Sequence, residues 1–335
     1  MTKPGSSSQP RGNSARASNA ALNAASQTER NQASTTSDTR AQAEVEDYDY
    51  APSKGYYYAA IGLISMVLGL YIVSRLWDDR GLRGILWGLL SWAGLAFIVF
   101  NLFYSLHQVR TVSPGVVTPE TKIKYTYERK ANGAVRYCRK SRLRKPDRAH
   151  YCHATRRLIM RFDHNCVFLD ASIGIFNHRY FLLFLAYASL GSAYIALDTI
   201  LGANPFSAEA RYMLPTELYV IMFIVIVLSS ALCVSLGLFL GYHIYLAANG
   251  WTTVEASEQQ GFNPRTGRAR LSKPYKLPTF MDNLKQIMGT DIKTWLLPFC
   301  ETKGLPDGVH WEYQGLIEHE YPAEDAKRNV YGSAY

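Results

Sequence analysis

The chain has 335 residues, with 36 Lys+Arg against 27 Asp+Glu for a formal charge of +9, and 48% of its residues are hydrophobic. That length would allow two globular domains, but the apolar residues are concentrated in long runs, which argues against an ordinary soluble chain. No aromatic-basic recognition module accompanies the positive charge, so no nucleic-acid partner is expected.

Residues 1–50 are rich in Ser, Ala, Asn, Gln and Thr and hold little that could form a core; they are expected to be a disordered cytosolic tail. No apolar h-region lies near the start, so no cleaved secretory signal is expected. Four runs then lack Asp, Glu, Lys and Arg altogether: Tyr56–Ser74, Ile85–Leu106, Tyr180–Leu197 and Leu218–Ala248. Each holds about the 17–25 residues, or more, that a helix needs to cross hydrocarbon. The expected spans are 56–77, 85–106, 180–202 and 218–248. The fold class that follows is an all-α integral membrane protein with four transmembrane helices. A cysteine-containing loop domain, 107–179, separates the second helix from the third, and a C-terminal region covers 249–335. Asn101 and Asp198 fall inside or beside spans, where a polar group must face a helix neighbour, an aqueous pocket or the headgroups.

His107–Arg179 carries 16 Lys+Arg against 5 Asp+Glu, whereas Ala203–Glu217 has Arg211 as its one basic residue. The positive-inside rule puts the 107–179 loop in the cytosol, and four spans then return both termini there. The five cysteines are odd in number, and Cys138, Cys152, Cys166 and Cys300 fall on the reducing side, so structural disulfides are not expected. In the C-terminal region Phe280, Leu284 and Ile287 recur at helical spacing before Gly289, and Trp295-Leu296-Leu297-Pro298-Phe299 follows. A small helix and an apolar segment docking on the membrane surface or the span ends are expected.

The segment Asp163-His164-Asn165-Cys166 places a carboxylate, an imidazole and a thiol within four residues. Cysteine is a nucleophile only as thiolate; a His that takes its proton, oriented by a carboxylate, is what such catalysis requires.

Several further motifs stand around this segment: Tyr137-Cys138, Arg144-Lys145-Pro146-Asp147-Arg148-Ala149-His150-Tyr151-Cys152, Ile173-Gly174 with Asn177, and Tyr180-Phe181 entering a span. Thr252-Thr253-Val254-Glu255 follows the fourth span, and Asn283 to Gly289 comes later. Taken in this order, the chain resembles the DHHC-type protein S-acyltransferases, or palmitoyltransferases, over about residues 55–300. The resemblance implies transfer of a long fatty acyl group from acyl-CoA, as co-substrate, to cytosolic cysteines of membrane-associated proteins at the bilayer. It implies Cys166 as nucleophile, His164 as general base and Asp163 as the residue orienting it, with Thr253 as a partner of Asp163. Phe168 stands where the family has Trp, Val167 replaces a Pro, and Asn283 belongs to the C-terminal motif; the resemblance implies Phe168, Thr253 and Asn283 as substrate- or cofactor-binding residues. An endomembrane (ER or Golgi) or plasma-membrane location is expected.

The family binds two zinc ions through eight Cys/His ligands. Here Cys138 and Cys152 keep their places, while Ser141, Tyr151, Thr155, Leu158, Asn165 and Ser172 occupy the other six. A structural zinc site needs four N or S ligands, so no metal or other cofactor is expected, and an improvised site from Cys138, His150, Cys152 and His153 is disfavoured by adjacent ligands. Apolar Leu158, Ile159, Met160 and Phe162 are the expected replacement. The alternative to an enzyme is a catalytically inactive relative acting as a membrane scaffold or adaptor. A transporter would need a polar face repeated along a span, which none carries.

Overall fold

The computed structural model describes residues 55–75, 81–128, 134–203, 206, 215–260 and 275–312. The tail expected over 1–50 and the turn signals within 263–274 lie outside the described residues. Four long helices, α1 Gly55–Arg75, α2 Gly81–Thr111, α3 His178–Ala203 and α4 Thr216–Ala248, are long and apolar enough to cross a membrane. α2 runs past its expected end at Leu106, because hydropathy marks only the apolar part of a helix and nothing breaks this one before Pro114. α3 packs against both α2 and α4, and α1 lies against α4. Leu89, Phe97, Phe100, Val227, Val234 and Leu238 stay exposed on the outer faces, as suits side chains that meet lipid.

Both awkward polar residues find partners on the helices. Asn101 is buried and donates from Nδ2 to the Phe97 carbonyl. Asp198 accepts from Tyr71 Oη at 2.6 Å and from Ser91 Oγ at 3.2 Å, joining α1, α2 and α3 inside the span region.

The loop domain holds three two-stranded antiparallel hairpins, which the all-α class does not name. They are β1 Tyr137–Cys138 with β2 Leu143–Arg144, β3 His150–Cys152 with β4 Arg157–Ile159, and β5 His164–Cys166 with β6 Ala171–Ile173. Strands of two or three residues are too short to show a period of two in sequence. Arg142, Arg156 and Asp170, the residue before each returning strand, take left-handed φ of 53°, 52° and 52°. The turn that Val167 would alter is thus closed at Asp170.

Asn177 fastens the third hairpin to the bundle. Its Oδ1 accepts from Gly174 N at 2.9 Å, and its Nδ2 donates to the carbonyls of Val109 on α2 and Ser172 on β6. A Cβ on Gly174 would sit 2.2 Å from the Pro114 carbonyl oxygen, so only glycine lets the two backbones meet.

α4 ends in a Schellman turn: Gly250, at φ +70°, donates to Ala247 O, and Trp251 N donates to Leu246 O. The chain reverses directly into α5, Thr253–Gln260. Here Thr252-x-x-Glu255 forms a capping box: Thr252 Oγ1 accepts from Glu255 N, and Glu255 Oε2 accepts from Thr252 N at 2.9 Å. Buried Arg148 closes a bidentate pair on Glu255, with Nε and Nη2 at 2.7 and 2.9 Å, donates to Gly250 O, and lies over the rings of Tyr275 and Trp311. One arginine therefore ties the loop domain to the turn after the fourth span.

Farther on, α6 Phe280–Met288 is capped by Thr279, and its buried Leu284, Ile287 and Met288 join the span cluster. Arg179 at the start of α3 donates to the carbonyls of Thr294, Leu297 and Cys300, and Tyr187 donates to Leu296 O at 2.5 Å. The expected docking of 295–299 on a span is thus made through α3, while Leu296 and Phe299 remain exposed.

Candidate active site

The β5–β6 register pairs His164 with Ile173, Asn165 with Ser172 and Cys166 with Ala171. Side chains alternate across a strand, so His164 and Cys166 share one face of the hairpin and Asn165 takes the other. One residue between imidazole and thiol is the spacing that this geometry needs. The His164 and Cys166 face turns to the span cluster: Cys166 packs on a core that includes Leu169, Ile173 and Phe181, with Tyr57, Ile61 and Ile64 of α1 alongside.

Asp163 is 1% exposed, and its carboxylate accepts three hydrogen bonds. Oδ2 accepts from His164 Nδ1 at 2.7 Å and Thr253 Oγ1 at 2.8 Å, while Oδ1 accepts from Thr253 N at 2.9 Å. The Thr253 amide is one of the free donors at the start of α5, so the capping box that begins this helix also aims it at Asp163. Burial alone would raise the Asp163 pKa, but the neighbouring His178 and His164 and the donated hydrogen bonds hold it well below the usual carboxylate range. Burial would likewise lower His164; the Asp163 bond and the adjacent Cys166 outweigh it and raise the imidazole to about 9. Among the described residues His164 Nε2 has no hydrogen-bond partner. It is the nitrogen left for a proton that must move. Phe162, Asp163, His164, Asn165, Thr253, Val254 and Ser257 line an open cleft beside this dyad.

Phe168 is 60% exposed at the hairpin turn, with its ring edge-on to Tyr56 of α1 at 6.1 Å. Asn283 lies apart from the dyad. It is buried, its Oδ1 accepts from Leu277 N, and its Nδ2 donates to the carbonyls of Leu277 and Thr279. Both polar atoms of its amide are used on the backbone, which is the geometry of a brace. Two residues that motif reading passed over adjoin Asp163: His178 at the start of α3 and His243 on α4. His178 falls between the motif residues Asn177 and Tyr180 and carries no local signal of its own. His243 lies 77 positions beyond Cys166 in an apolar run, and only the helix packing reveals it.

Seven of the eight positions of the family's zinc ligands sort into two groups, Ser141 falling in neither. Cys152, Thr155, Asn165 and Ser172 converge: Cys152 Sγ is 3.3 Å from Ser172 Oγ and 3.8 Å from Asn165 Oδ1, and Ser172 Oγ is 3.0 Å from Asn165 Oδ1 and 3.5 Å from Thr155 Oγ1. Cys138, Leu158 and Tyr151 share an apolar cluster with Val117, Ala149, Met160, Ile175 and Trp311. A hydrogen-bonded group with one thiol and an apolar group with one thiol do not fit zinc, which takes four N or S ligands at a structural site. His153 does not complete either one, since it is exposed and lies 3.3 Å from Lys140 Nζ. Ligand atoms of Asp163, His178 and His243 lie within 4.8 Å of one another. That trio is a poor cation site, because Asp163 already accepts three bonds and the Arg161 guanidinium sits 3.0 Å from His178 Nδ1.

A family model for the DHHC palmitoyltransferases matches residues 131–260, the stretch that contains the hairpins, α3, α4 and α5. Human palmitoyltransferase ZDHHC2 is 28% identical over 221 residues, 61% of this chain and 58% of the relative; rat ZDHHC15 is 31% identical over 58% of this chain and 56% of the relative. The Arabidopsis thaliana probable protein S-acyltransferase 14 is 30% identical over 247 residues, 68% of this chain and 76% of its own length. The chain belongs to the DHHC palmitoyltransferase family. Within that family it carries DHNC at the signature tetrad, and it spans somewhat under three fifths of the length of the ZDHHC2 and ZDHHC15 relatives.

Proposed function

We propose that this family member is a protein S-acyltransferase that moves a long-chain fatty acyl group, palmitoyl in the first instance, from acyl-CoA to cysteines of membrane-associated proteins. The observation that carries the reading is His164, bonded to Asp163, on one strand face with Cys166, which packs on the apolar cluster of the spans. The Cys166 thiol gives its proton to His164 Nε2, and the sulfur attacks the thioester carbonyl of acyl-CoA. The carbon–sulfur bond to CoA breaks, and the CoA thiolate takes the proton back. A substrate cysteine then repeats the exchange on the acyl-Cys166 thioester, releasing the Cys166 thiol. Each step exchanges one thioester for another, so no external energy source is needed. An imidazole at about 9 is matched to this task, since an ordinary thiol ionises near about 8.5.

The position of the thiol supports a lipid substrate. An acyl chain entering among the spans gains about 0.8 kcal/mol per buried methylene, while the CoA phosphates stay with the basic loop. The charge of that loop supports a cytosolic site with both termini on the same side, in an endomembrane or the plasma membrane. No step is routed through zinc. The test is incubation of purified full-length protein with palmitoyl-CoA, with the modified peptide identified by mass spectrometry. A hydroxylamine-sensitive acyl group on Cys166 is expected; an unmodified Cys166 would leave a scaffold or adaptor role instead.

Thr253→Val is expected to slow formation of the acyl-enzyme by roughly tenfold or more. It removes one charge-assisted hydrogen bond to Asp163, worth about 1.5–3 kcal/mol, while the backbone bond to Oδ1 remains. A Thr253→Ser variant keeps the hydroxyl and should retain most of the rate; equal loss in both would mean that the methyl group, not the hydrogen bond, matters.

A further inference from the structure

His243 is a buried imidazole that the reaction as written does not use. It is 2% exposed near the end of α4, among Phe181, Phe239 and Tyr242, with ring centroids 4.9, 4.6 and 5.6 Å away. Its ring lies 5.4 Å from the ring of His164, tilted by 39°. Its Nδ1 is 3.8 Å from Asp163 Oδ2, the oxygen that holds His164, and among the described residues that nitrogen has no hydrogen-bond partner. A buried donor or acceptor left without a partner is unfavourable, and here a shift of about 1 Å would complete a bond.

We propose that His243 is a positioning residue that donates from Nδ1 to Asp163 Oδ2 whenever His164 is uncharged, and so sets the pH at which His164 becomes available as a base. This rests on the acyltransferase reading for its purpose but not for its test. While His164 is imidazolium, Asp163 faces a full positive charge at 2.7 Å. Once His164 Nε2 has given up its proton, the carboxylate keeps the Nδ1–H bond but no longer faces a positive charge, and a further donor on Oδ2 compensates. His243 thereby favours neutral His164 over the ion pair. The other groups facing this centre are Cys166 on the same strand, His178 at the start of α3, Tyr242 on α4, and Arg161, whose guanidinium is 3.0 Å from His178 Nδ1. His178 turns Nδ1 to Arg161 and its Nε2 also has no hydrogen-bond partner among the described residues, but the imidazole nitrogen that comes within 4.0 Å of Oδ2 beside His164 is His243 Nδ1, and Thr253 already occupies its own position.

Two substitutions separate the hydrogen bond from the packing. His243→Phe keeps a ring in the aromatic cage and removes the donor; His243→Gln removes the ring and keeps a donor at similar reach. The readout is the rate of iodoacetamide alkylation at Cys166 in the full-length protein in detergent, followed peptide by peptide against pH, beside the rate of self-acylation by palmitoyl-CoA. The expected result is an acid limb moved to higher pH by roughly one unit in His243→Phe and restored in His243→Gln. If His243 acted only through packing, His243→Gln would be the damaged variant, with a lower plateau and an unmoved limb. That pattern, or an unmoved limb in His243→Phe, overturns the proposal. Should His243→Phe not fold, His243→Leu carries the same test. A shifted alkylation limb in a protein that palmitoyl-CoA does not acylate would uphold the role of His243 while removing the acyltransferase reading.

Discussion

Cys166→Ser is expected to abolish hydroxylamine-sensitive acylation without affecting membrane insertion, and His164→Ala is expected to slow acyl-enzyme formation by about 10²–10⁴. The first follows because an alcohol in place of the thiol is a far weaker nucleophile and forms no thioester. The second follows because His164 Nε2 is the unengaged nitrogen on the Cys166 face, and removing it leaves the thiol no base. Asp163→Asn should slow the reaction less, since Asp163 orients the imidazole and does not exchange the proton. Undiminished labelling of Cys166→Ser would transfer the nucleophile to another cysteine, and wild-type rates for His164→Ala across pH 6–9 would dissolve the dyad. Stability gives an independent check. His164 rises from about 6.5 when unfolded to about 9 when folded, so its contact with Asp163 stabilises fully below the unfolded value and fades as pH rises through 9. The Tm advantage of wild type over His164→Gln should therefore be largest below pH 6.5 and vanish in the alkaline range.

Leu158→Ala is expected to destabilise the loop domain by about 2–5 kcal/mol, and chelators are expected neither to unfold it nor to stop acylation. Leu158 stands at a zinc-ligand position, is 1% exposed, and lies in the apolar cluster with Cys138 and Trp311. Magnitudes decide which contacts could stand in for a zinc ion. A structural zinc contributes about 10–16 kcal/mol, whereas each contact in the Cys152–Asn165–Ser172–Thr155 group contributes about 0.5–1.5 kcal/mol at best. Those four residues keep the hairpins in register; the apolar cluster and the Arg148–Glu255 clasp must supply the rest. Phe162, grouped with Leu158 on sequence grounds, is only half-buried and lines the cleft, so Phe162→Ala should affect rate more than stability. Stoichiometric zinc by elemental analysis, together with chelator-sensitive activity, would overturn this account.

The spans were legible because a hydrocarbon crossing demands about twenty apolar residues in a row, a constraint written along the chain. Asp163, His164 and Cys166 were legible because they lie within four residues. The hairpins were not, since strands of two or three residues leave no periodic trace; two of their turns rest on Arg142 and Arg156, a residue type that does not announce a left-handed backbone. The zinc-ligand positions were visible as departures, but their sorting into one polar and one apolar group depends on which hairpin faces which.

The amino-acid sequence by itself determined what is local in this protein: four membrane-crossing helices, a basic loop between the second and third, and a thiol two residues from an imidazole. Tertiary structure alone decided what is distant. Thr253 reaches Asp163 across 90 positions because a Schellman turn and a capping box reverse the chain at the end of α4, and Arg148 meets Glu255 across 107 for the same reason. Asn283 braces the backbone at Leu277 and Thr279, and the ring of His243 lies 5.4 Å from that of His164. Such pairings arise from helix packing and backbone reversal, whose partners are chosen by burial and hydrogen-bond satisfaction over the whole fold rather than by any neighbour in sequence.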